Sequence, residues 1–114
     1  VRPTHSHEMA IVATPKENWG TWNGTAMNKT VITETQSQGI ERPDHPCPKP
    51  LPIIKKCVQL YSDENKLVLD PFLGSGTTLV ACKELNRNGI GIEINEKYCE
   101  IAKKRLQNTQ THFL

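Results

Sequence analysis

A chain of 114 residues has the length of one domain and leaves no room for a second, because domains commonly contain roughly 100–150 residues. Hydrophobic residues make up 36% of the sequence and charged residues 23%, a balance that excludes a disordered, highly charged tail. The formal net charge is only +2, which is too small to indicate nucleic-acid binding by itself.

The sequence has no targeting signal or membrane span that we recognise. No run approaches about 18 consecutive apolar residues, and the N-terminus from Val1 to His5 lacks the basic-then-apolar pattern of a signal peptide. We therefore expect a cytoplasmic protein without a membrane partner. Since the first residue is valine, we also expect an upstream part of the protein to be absent from this chain.

Cysteine and histidine spacing gives no indication of a metal or disulfide site. The four cysteines contain no Cys-x-x-Cys pair, which favours free thiols in a reducing compartment. Ligand atoms are available from His5, His7, His45 and Cys47, but their spacing fixes no geometry. We predict no metal site.

Apolar residues are concentrated in the C-terminal part of the chain. Residues 1–50 contain 14 residues of the hydrophobic class, whereas residues 51–114 contain 27. We therefore predict a polar N-terminal segment over residues 1–44, with one or two short strands, and an α/β part over residues 45–114.

Within the N-terminal segment, the run Glu8–Thr14 is apolar in its middle and ends at Pro15, which favours a buried strand. Val31–Glu34 is predicted as a second short strand. Trp19 and Trp22 lie in the polar loop between these strands. We interpret them as hydrophobic anchors of the loop, with a platform for stacking bases as the alternative.

The α/β part begins with a helix, because apolar residues recur there at steps of three and four residues. These residues are Leu51, Ile54, Val58 and Tyr61. Lys66–Asp70 then has the pattern of a short strand that ends in a carboxylate, and Pro71–Gly76 has the composition of a tight turn.

A second helix is predicted after the turn, capped by Thr77 or Thr78 and continuing to about Asn86. Gly89–Ile94 alternates as a second strand, and Asn95 is a suitable N-cap for a last helix. That helix has one apolar face, formed by Tyr98, Ile101, Ala102 and Leu106. This alternation of strands and helices predicts a right-handed parallel unit of a three-layer α/β sheet.

Two acidic residues and a glycine-rich turn stand beyond the carboxyl ends of the predicted strands, where such sheets bind ligands. Asp70 ends the first strand, and Glu93 ends the second, where nucleotide-binding folds hold ribose hydroxyls. Gly74 and Gly76 allow close approach of the backbone to a ligand. The third glycine of the dinucleotide fingerprint and the Gly-Lys-Ser/Thr ending of a phosphate loop are missing, so we predict a ribose-bearing ligand without phosphates, of which S-adenosylmethionine is the common example. Taken singly, Asp70 and the turn also have a purely structural interpretation.

The motif Asp70–Thr78 (Asp-Pro-Phe-Leu-Gly-Ser-Gly-Thr-Thr) resembles the cofactor-binding motif of the DNA amino-methyltransferases, which methylate the exocyclic amino nitrogen of adenine or cytosine. His45–Pro50 is similar to the His-Pro-x-x-Lys-Pro segment of that family. Gly89–Glu93 resembles its second cofactor motif, and Tyr98–Leu106 its closing helix. The resemblance covers residues 45–107. It implies a partial three-layer Rossmann-like methyltransferase sheet, mainly parallel, in a bacterial, archaeal or viral protein.

The resemblance also implies which residues surround S-adenosylmethionine. Glu93 is expected to accept both ribose hydroxyls, and Ile94 to pack near the adenine. Lys49 and Pro50 are expected to close the methionine side, although a solvated lysine and a simple helix starter are the alternatives. The residues expected around the methionine and nearby ribose are Asp70, Pro71, Phe72, Gly74 and Gly76, with hydroxyls offered by Ser75, Thr77 and Thr78.

In the permuted group that this chain resembles, the catalytic half comes first. Residues 1–44 are then the end of the catalytic and target-recognition half, and residues 45–114 are the cofactor-binding part. The family's catalytic tetrapeptide is Asp, Asn or Ser, then Pro-Pro, then an aromatic residue, and this sequence contains no Pro-Pro. We therefore predict no catalytic residue here. The expected partners are DNA, the missing N-terminal half or a complementing chain, and a second copy of this chain.

Basic residues give little indication of a DNA-binding surface. Lys103, Lys104 and Arg105 form a short run on the last helix, for which a solvated face or a complement to the helix dipole is favoured over a phosphate track. Three functions remain open: part of a DNA methyltransferase of a restriction–modification system, a non-catalytic remnant or subunit, and an RNA or small-molecule methyltransferase.

Overall fold

The structure is a computed structural model that describes residues 7–15, 17, 20–25, 31–33 and 48–110. Its two strands pair in parallel, with Leu67 opposite Asn88 and Asp70 opposite Gly91. None of the helices that it describes is long and apolar enough to cross a bilayer. The expected α/β fold with a parallel strand–helix–strand unit is confirmed. In chain order the elements are α1 (Leu51–Tyr61), β1 (Leu67–Asp70), α2 (Thr77–Glu84), β2 (Asn88–Gly91) and α3 (Glu96–Asn108).

Helix α1 begins after Pro50, which is its N-cap residue. Proline is tolerated there because the first N–H groups of a helix have no partner within it. The helix ends at Ser62, whose backbone turns to an extended conformation and donates its N–H to the carbonyl of Val58 at 3.1 Å. Val58 and Leu60 are the buried residues of α1.

Tyr61, which we predicted on the buried stripe of α1, is instead 40% exposed. Its ring stacks on that of Trp22 with 5.4 Å between the ring centroids and an interplanar angle of 47°. Trp22 is itself 51% exposed, so its interpretation as a hydrophobic anchor stays a prediction. Trp19 lies outside the described residues.

Asn23 fastens the segment 20–25 to the C-terminal end of α1. Its backbone N–H donates to the carbonyl of Leu60 at 2.8 Å. Its side-chain amide donates to the carbonyls of Ser62 at 2.8 Å and Gln59 at 3.2 Å. These bonds satisfy carbonyl groups that the end of a helix leaves without partners.

The core lies between α1, α2 and β1. It is centred on Val58, Ala81 and Cys82, of which Ala81 is fully buried. Helix α2 also packs closely against β2. The absence of a side chain at Gly89 allows this approach, since a Cβ atom there would lie only 2.4 Å from Cδ2 of Leu79. Four partly buried apolar residues complete the core: Leu51, Ile54, Val68 and Leu85.

The opposite face of the sheet is open within the described residues. Leu67 and Leu69 are 61% and 59% exposed, and Ile90 and Ile92 are 49% and 56% exposed. Leu69 stands opposite Ile90 in the parallel register, and side chains two positions apart on a strand share a face. These four residues, which we call the open sheet face, form an apolar surface.

Helix α2 ends at Glu84, before the predicted Asn86. Asn86 has a φ of 58°, the left-handed conformation that commonly terminates a helix. The N–H of Arg87 then donates to the carbonyl of Cys82 at 2.8 Å, which closes the helix end. Asn86 therefore marks the stop of α2 and does not belong to the helix, so the predicted end of α2 was two residues too late.

The second strand, Asn88–Gly91, is shorter at its C-terminal end than the predicted Gly89–Ile94. The N–H of Ile92 still donates to the carbonyl of Asp70 at 2.9 Å. Beyond that point β1 has already turned at Pro71, so residues 93 and 94 have no strand to pair with among the described residues. The side chain of Asn95 accepts from the N–H groups of Lys97 and Tyr98, so its prediction as N-cap is confirmed.

The prediction of strands in the N-terminal segment was wrong for the described residues. Residues 7–15 have no regular secondary structure and are exposed, with Met9 at 91% and Ile11 at 95%. Val31–Thr33 also form no strand, and Glu34 lies outside the described residues. A short apolar run indicates a strand only where a neighbouring strand can pair with it, and no described strand pairs with either segment.

The three described cysteines should differ in reactivity. Cys82 is 2% exposed, and burial, with a smaller contribution from Asp70, raises the pKa of its thiol although Arg87 opposes the shift. A raised pKa lowers the thiolate fraction at any given pH, and the thiolate is the form that reacts. We expect iodoacetamide to alkylate Cys82 more slowly than the half-buried Cys57 and Cys99, as measured by peptide mass spectrometry. In urea the three rates should converge. Equal rates in the folded chain would contradict the placement of Cys82 in the core.

Candidate functional site

The predicted acids and the glycine-rich turn meet at one edge of the sheet. Asp70 is the last residue of β1 and stands opposite Gly91, the last residue of β2. Glu93 follows two residues after the end of β2, and residues 71–76 lead from β1 to the start of α2. The backbone N–H of Leu73 donates to the carbonyl of Ile92 at 2.9 Å and so joins the turn to the segment after β2. Within the turn, the N–H of Gly76 donates to the carbonyl of Leu73 at 3.2 Å.

Asp70 organises the beginning of the turn. Its Oδ1 accepts the N–H of Phe72 at 3.0 Å, and its Oδ2 accepts the hydroxyl of Thr78 at 2.6 Å. The carboxylate therefore spans the turn from its first residues to the first turn of α2.

Neither threonine caps α2, contrary to our prediction. The N-cap residue is Gly76, with a φ of 90°, and it makes no side-chain capping bond. Thr78 instead donates its hydroxyl to a carboxylate, a charge-assisted bond stronger than a bond to a backbone group. Thr77 is buried at 5% exposure, and its hydroxyl accepts from Arg105.

Glu93 joins the turn to the start of α3. Its Oε2 accepts the N–H of Gly74 at 2.8 Å, and its Oε1 accepts the N–H of Asn95 at 2.8 Å. Each carboxylate oxygen accepts up to two hydrogen bonds, so both oxygens retain acceptor capacity. A negative charge is also favoured at this position, just before the N-terminus of α3.

The two glycines of the turn are required for different reasons. Gly74 has a φ of 58°, and a Cβ atom there would meet nothing within 4 Å. At Gly76, which has a φ of 90°, a Cβ atom would lie 2.8 Å from Cβ and 3.0 Å from Cα of Ala102. Gly74 thus leaves open space at the site, whereas Gly76 allows α3 to pack against the turn.

Arg105 supports the turn from α3, a role that we did not predict. Its Nη1 donates to the carbonyl of Ser75 at 2.8 Å, to Oγ of Ser75 at 2.9 Å and to Oγ1 of Thr77 at 3.1 Å. The interpretation of Lys103–Arg105 as a solvated run was therefore wrong for Arg105, although Lys103 does pair with Glu100 at the surface. The signal was its spacing, since Arg105 lies one turn after Ala102 on the same face of α3.

Apolar side chains border the acids on the solvent side. Phe72 is 89% exposed and Ile94 is fully exposed at 101%, and Pro71 is exposed as well. Exposed apolar residues of this size beside a polar turn are suited to contact a ligand with an aromatic ring.

Lys49 and Pro50 lie at the start of α1. Lys49 forms an ion pair with Glu8, in which both side chains are largely exposed. Within the residues that the structure describes, no hydrogen bond joins Lys49 to the turn. The structure thus assembles Asp70–Thr78 with Glu93, and it leaves the closing role of Lys49 and Pro50 as a prediction.

Within the described residues the site is an open shelf, since Phe72 and Ile94 beside the acids are almost fully exposed. A hollow of about 490 Å³ lies elsewhere, beside the C-terminal end of α1, and includes Asn23, Asp63 and Arg87 among its lining residues. A ligand on the shelf would therefore be covered mainly from the side of the turn. Within the described residues no three His, Cys, Asp or Glu side chains come together to hold a metal ion. His5, His45 and Cys47 lie outside those residues.

A family model described as DNA methylase matches residues 1–104. The chain belongs to this family. The match reaches through the polar N-terminal segment, beyond the residues 45–107 on which the resemblance of the motifs rested.

The relatives of this DNA methylase chain are longer proteins. It is 42% identical over 89 residues to the type II methyltransferase M.HindIII of Haemophilus influenzae, covering 78% of this chain and 28% of that protein. It is 31% identical over 122 aligned positions to M.Cfr9I of Citrobacter freundii, covering 99% and 40%. The solved structure of the M1.HpyAVI–SAM complex is similar with a TM-score of 0.62 and 41% identity, covering 75% of this chain and 43% of that one. The chain thus spans less than half the length of each, and the partial Rossmann-like methyltransferase fold is confirmed.

The two glycines provide a matched pair of variants. Gly74→Ala should lower the free energy of unfolding by about 1–2 kcal/mol, the cost of a left-handed conformation for a residue with a Cβ atom. Gly76→Ala should lower it further, by an additional amount of about 1–3 kcal/mol, because the new methyl group overpacks against Ala102. Urea titration followed by circular dichroism measures both. Equal losses would show that α3 does not press on the turn.

Proposed function

We propose that this chain binds S-adenosylmethionine and is the cofactor-binding part of a DNA methyltransferase that acts on the exocyclic amino group of adenine or cytosine. The observation that carries the proposal is the position of Glu93. Its carboxylate is fastened by two backbone N–H groups beside the glycine-rich turn and keeps lone pairs for further donors. A pair of vicinal ribose hydroxyls matches such an acceptor, as in nucleotide-binding α/β sheets.

The surrounding residues fit the rest of this ligand. Phe72 and Ile94 offer apolar surface to the adenine and the nearby ribose. Asp70 places a negative charge beside the turn, where it attracts the cationic sulfonium and ammonium groups. The free N–H groups at the start of α2 favour the carboxylate at the other end of the amino acid.

The bound cofactor supplies an electrophilic methyl group for transfer. Transfer of that group to the exocyclic amino nitrogen would require the nitrogen to lose a proton. The residues of this chain bind and orient the methyl donor. Positioning of the amino nitrogen and removal of the proton are assigned to a part of the enzyme that carries the Pro-Pro tetrapeptide, which this sequence lacks.

Calorimetric titration with S-adenosylmethionine tests the role of Glu93, using the full-length protein that contains this chain. Glu93→Ala should weaken binding roughly ten- to a hundredfold, as expected for the loss of a charged hydrogen-bond acceptor worth about 1.5–3 kcal/mol. Glu93→Gln, which keeps one acceptor oxygen, should lie between this variant and the wild type.

The matched control is Glu96→Gln, which removes an exposed carboxylate from the first turn of α3. It should leave the affinity unchanged. Since Glu93→Ala also removes the acceptor of two backbone N–H groups, thermal unfolding of each variant must be measured beside binding. Unchanged affinity in a folded Glu93→Ala variant would contradict the assignment.

DNA is proposed as the second substrate because the family is that of DNA methylases and because named relatives are type II methyltransferases. Two observations support the proposal that another part of the same enzyme completes the protein. The chain matches less than half the length of these relatives, and the open sheet face leaves apolar surface uncovered. We propose that this part covers the open sheet face and that the complete enzyme acts in the cytoplasm, with assembly of two copies as the alternative.

A non-catalytic remnant or subunit is the second candidate function. The absence of a Pro-Pro pair from the sequence favours it for the chain taken alone. An Asp, Asn or Ser followed by Pro-Pro and an aromatic residue, encoded upstream in the same frame or in a neighbouring gene, would favour the enzyme. Its absence from the whole locus would favour the remnant.

The open sheet face gives the isolated chain a tendency to associate. We expect concentration-dependent association in sedimentation velocity, and binding of an apolar fluorescent dye, for the chain alone. The double variant Leu69→Thr with Ile90→Thr should reduce both. Ile11→Thr removes an isoleucine that is 95% exposed outside the face and should change neither.

Addition of the remaining polypeptide distinguishes the two ways of covering the face. If the remaining polypeptide covers the open sheet face, its addition should abolish both dye binding and self-association. If two copies of this chain cover the face, the dimer should persist after the addition. A wild-type chain that remains monomeric without dye binding would contradict the role of this face.

A further inference from the structure

The contacts of Arg105 with the turn support a further inference, which rests on the proposed function. We propose that Arg105 is a positioning residue for S-adenosylmethionine. From α3, Arg105 holds Ser75–Thr77 in the conformation that binds the cofactor. Arg105 also supplies a positive charge behind the carboxylate of the methionine part of the cofactor. Neither the motif resemblance nor the spacing of the acids assigns this role to it.

The first support is the choice of hydrogen-bond partners. A single guanidinium nitrogen, Nη1, reaches three oxygen atoms, which are the carbonyl and hydroxyl of Ser75 and the hydroxyl of Thr77. All three belong to the turn or to the first residue of α2. Gly76 lies between these two residues and has a φ of 90°, so the bonds hold both neighbours of a residue whose backbone is otherwise free to take many conformations.

The second support is the charge of Arg105, which has no carboxylate partner within the described residues. Arg105 is half-buried, and desolvation lowers its pKa. Its hydrogen-bond partners are neutral oxygens, and the ion pairs in the described part of the chain are Lys49–Glu8, Lys55–Glu84 and Lys103–Glu100. A partly desolvated cation whose partners are neutral oxygens still attracts an anion placed near it. The N-terminus of α2, which Arg105 contacts through Thr77, is where the carboxylate of the ligand is proposed to lie.

The third support is that α2 and α3 are joined by other contacts. Lys83 on α2 donates to the carbonyl of Leu106 on α3 at 2.7 Å, and Ala102 lies against Gly76. These contacts fix the distance between the helices without Arg105. The bonds of Arg105 therefore act on the shape of the turn, and its loss should affect binding more than attachment of α3.

Calorimetric titration of the full-length protein with S-adenosylmethionine, in which Arg105→Ala should weaken binding roughly tenfold, is combined with steady-state kinetics to separate positioning from general stability. Arg105→Ala should raise KM for S-adenosylmethionine roughly tenfold, with kcat changed less than about threefold and KM for DNA unchanged, as expected for the loss of hydrogen bonds from a charged donor. Arg105→Lys keeps the charge but not the planar fork of donors and should show a smaller rise. Lys104→Ala removes a neighbouring exposed charge from the same helix and should change none of the three constants.

A double-variant cycle tests whether Arg105 acts through the turn. In a Thr77→Val background, Arg105→Ala should raise KM for S-adenosylmethionine by a smaller factor than in the wild type, because one of its partners is already gone. Independent, multiplying effects would overturn the proposed route. A lower kcat with unchanged KM, the result of a smaller folded fraction, would overturn the positioning role itself.

The outcomes also separate this inference from the proposed function. If Glu93→Ala weakens cofactor binding and Arg105→Ala does not, the inference about Arg105 is wrong and the proposed function stands. If the wild-type enzyme binds no S-adenosylmethionine, both are wrong. If Arg105→Ala does not fold, Arg105→Lys and Thr77→Val are measured instead. A rise in KM for S-adenosylmethionine in both variants supports the proposal, and no rise in either variant overturns it.

Discussion

The arrangement of the site depends on the carboxylate of Glu93. One of its oxygens accepts the N–H of Gly74 and the other accepts the N–H of Asn95, so a single side chain fixes the loop after β1 relative to the loop after β2. Asp70 does the same within the first loop, between Phe72 and Thr78. In an open parallel sheet these loops have no strand pairing of their own, and buried or half-buried N–H groups need an acceptor. Two acids therefore provide the frame of the shelf, and under the proposed function they are also the acceptors for the ligand.

The back of the shelf is formed by α3. Ala102 is small enough to allow Gly76 to approach, and Arg105 reaches around it to the oxygens of Ser75 and Thr77. Helix α3, the last element in the sequence, thus supports the turn that follows β1. The two residues of the turn at positive φ, Gly74 and Gly76, are both glycines, which adopt this conformation without steric cost.

The sequence predicted those parts of the fold that depend on local pattern and on the direction of parallel strands. The apolar stripe of α1, the asparagine cap of α3 and the meeting of Asp70 with Glu93 at one edge follow from periodicity, capping chemistry and topology. The spacing on α3 places Arg105 on the same face as Ala102, but it does not identify its partners. The partners of Thr77, Thr78 and Arg105 depend on contacts between residues 8 to 30 positions apart. The run Glu8–Thr14 shows the complementary error, since an apolar pattern does not reveal whether another strand is available to pair with it.

The attachment of Asn23 to the end of α1 bears on where this chain could be divided. The predicted boundary at residue 45 separates the polar segment from the α/β part, yet the carbonyls of Gln59 and Ser62 accept from a side chain on the other side of that boundary. A cut at residue 45 would remove this donor and leave the carbonyl of Ser62 to Arg87, which also donates to it at 2.7 Å. Part of the support for the end of the first helix therefore comes from outside the segment that carries the motifs.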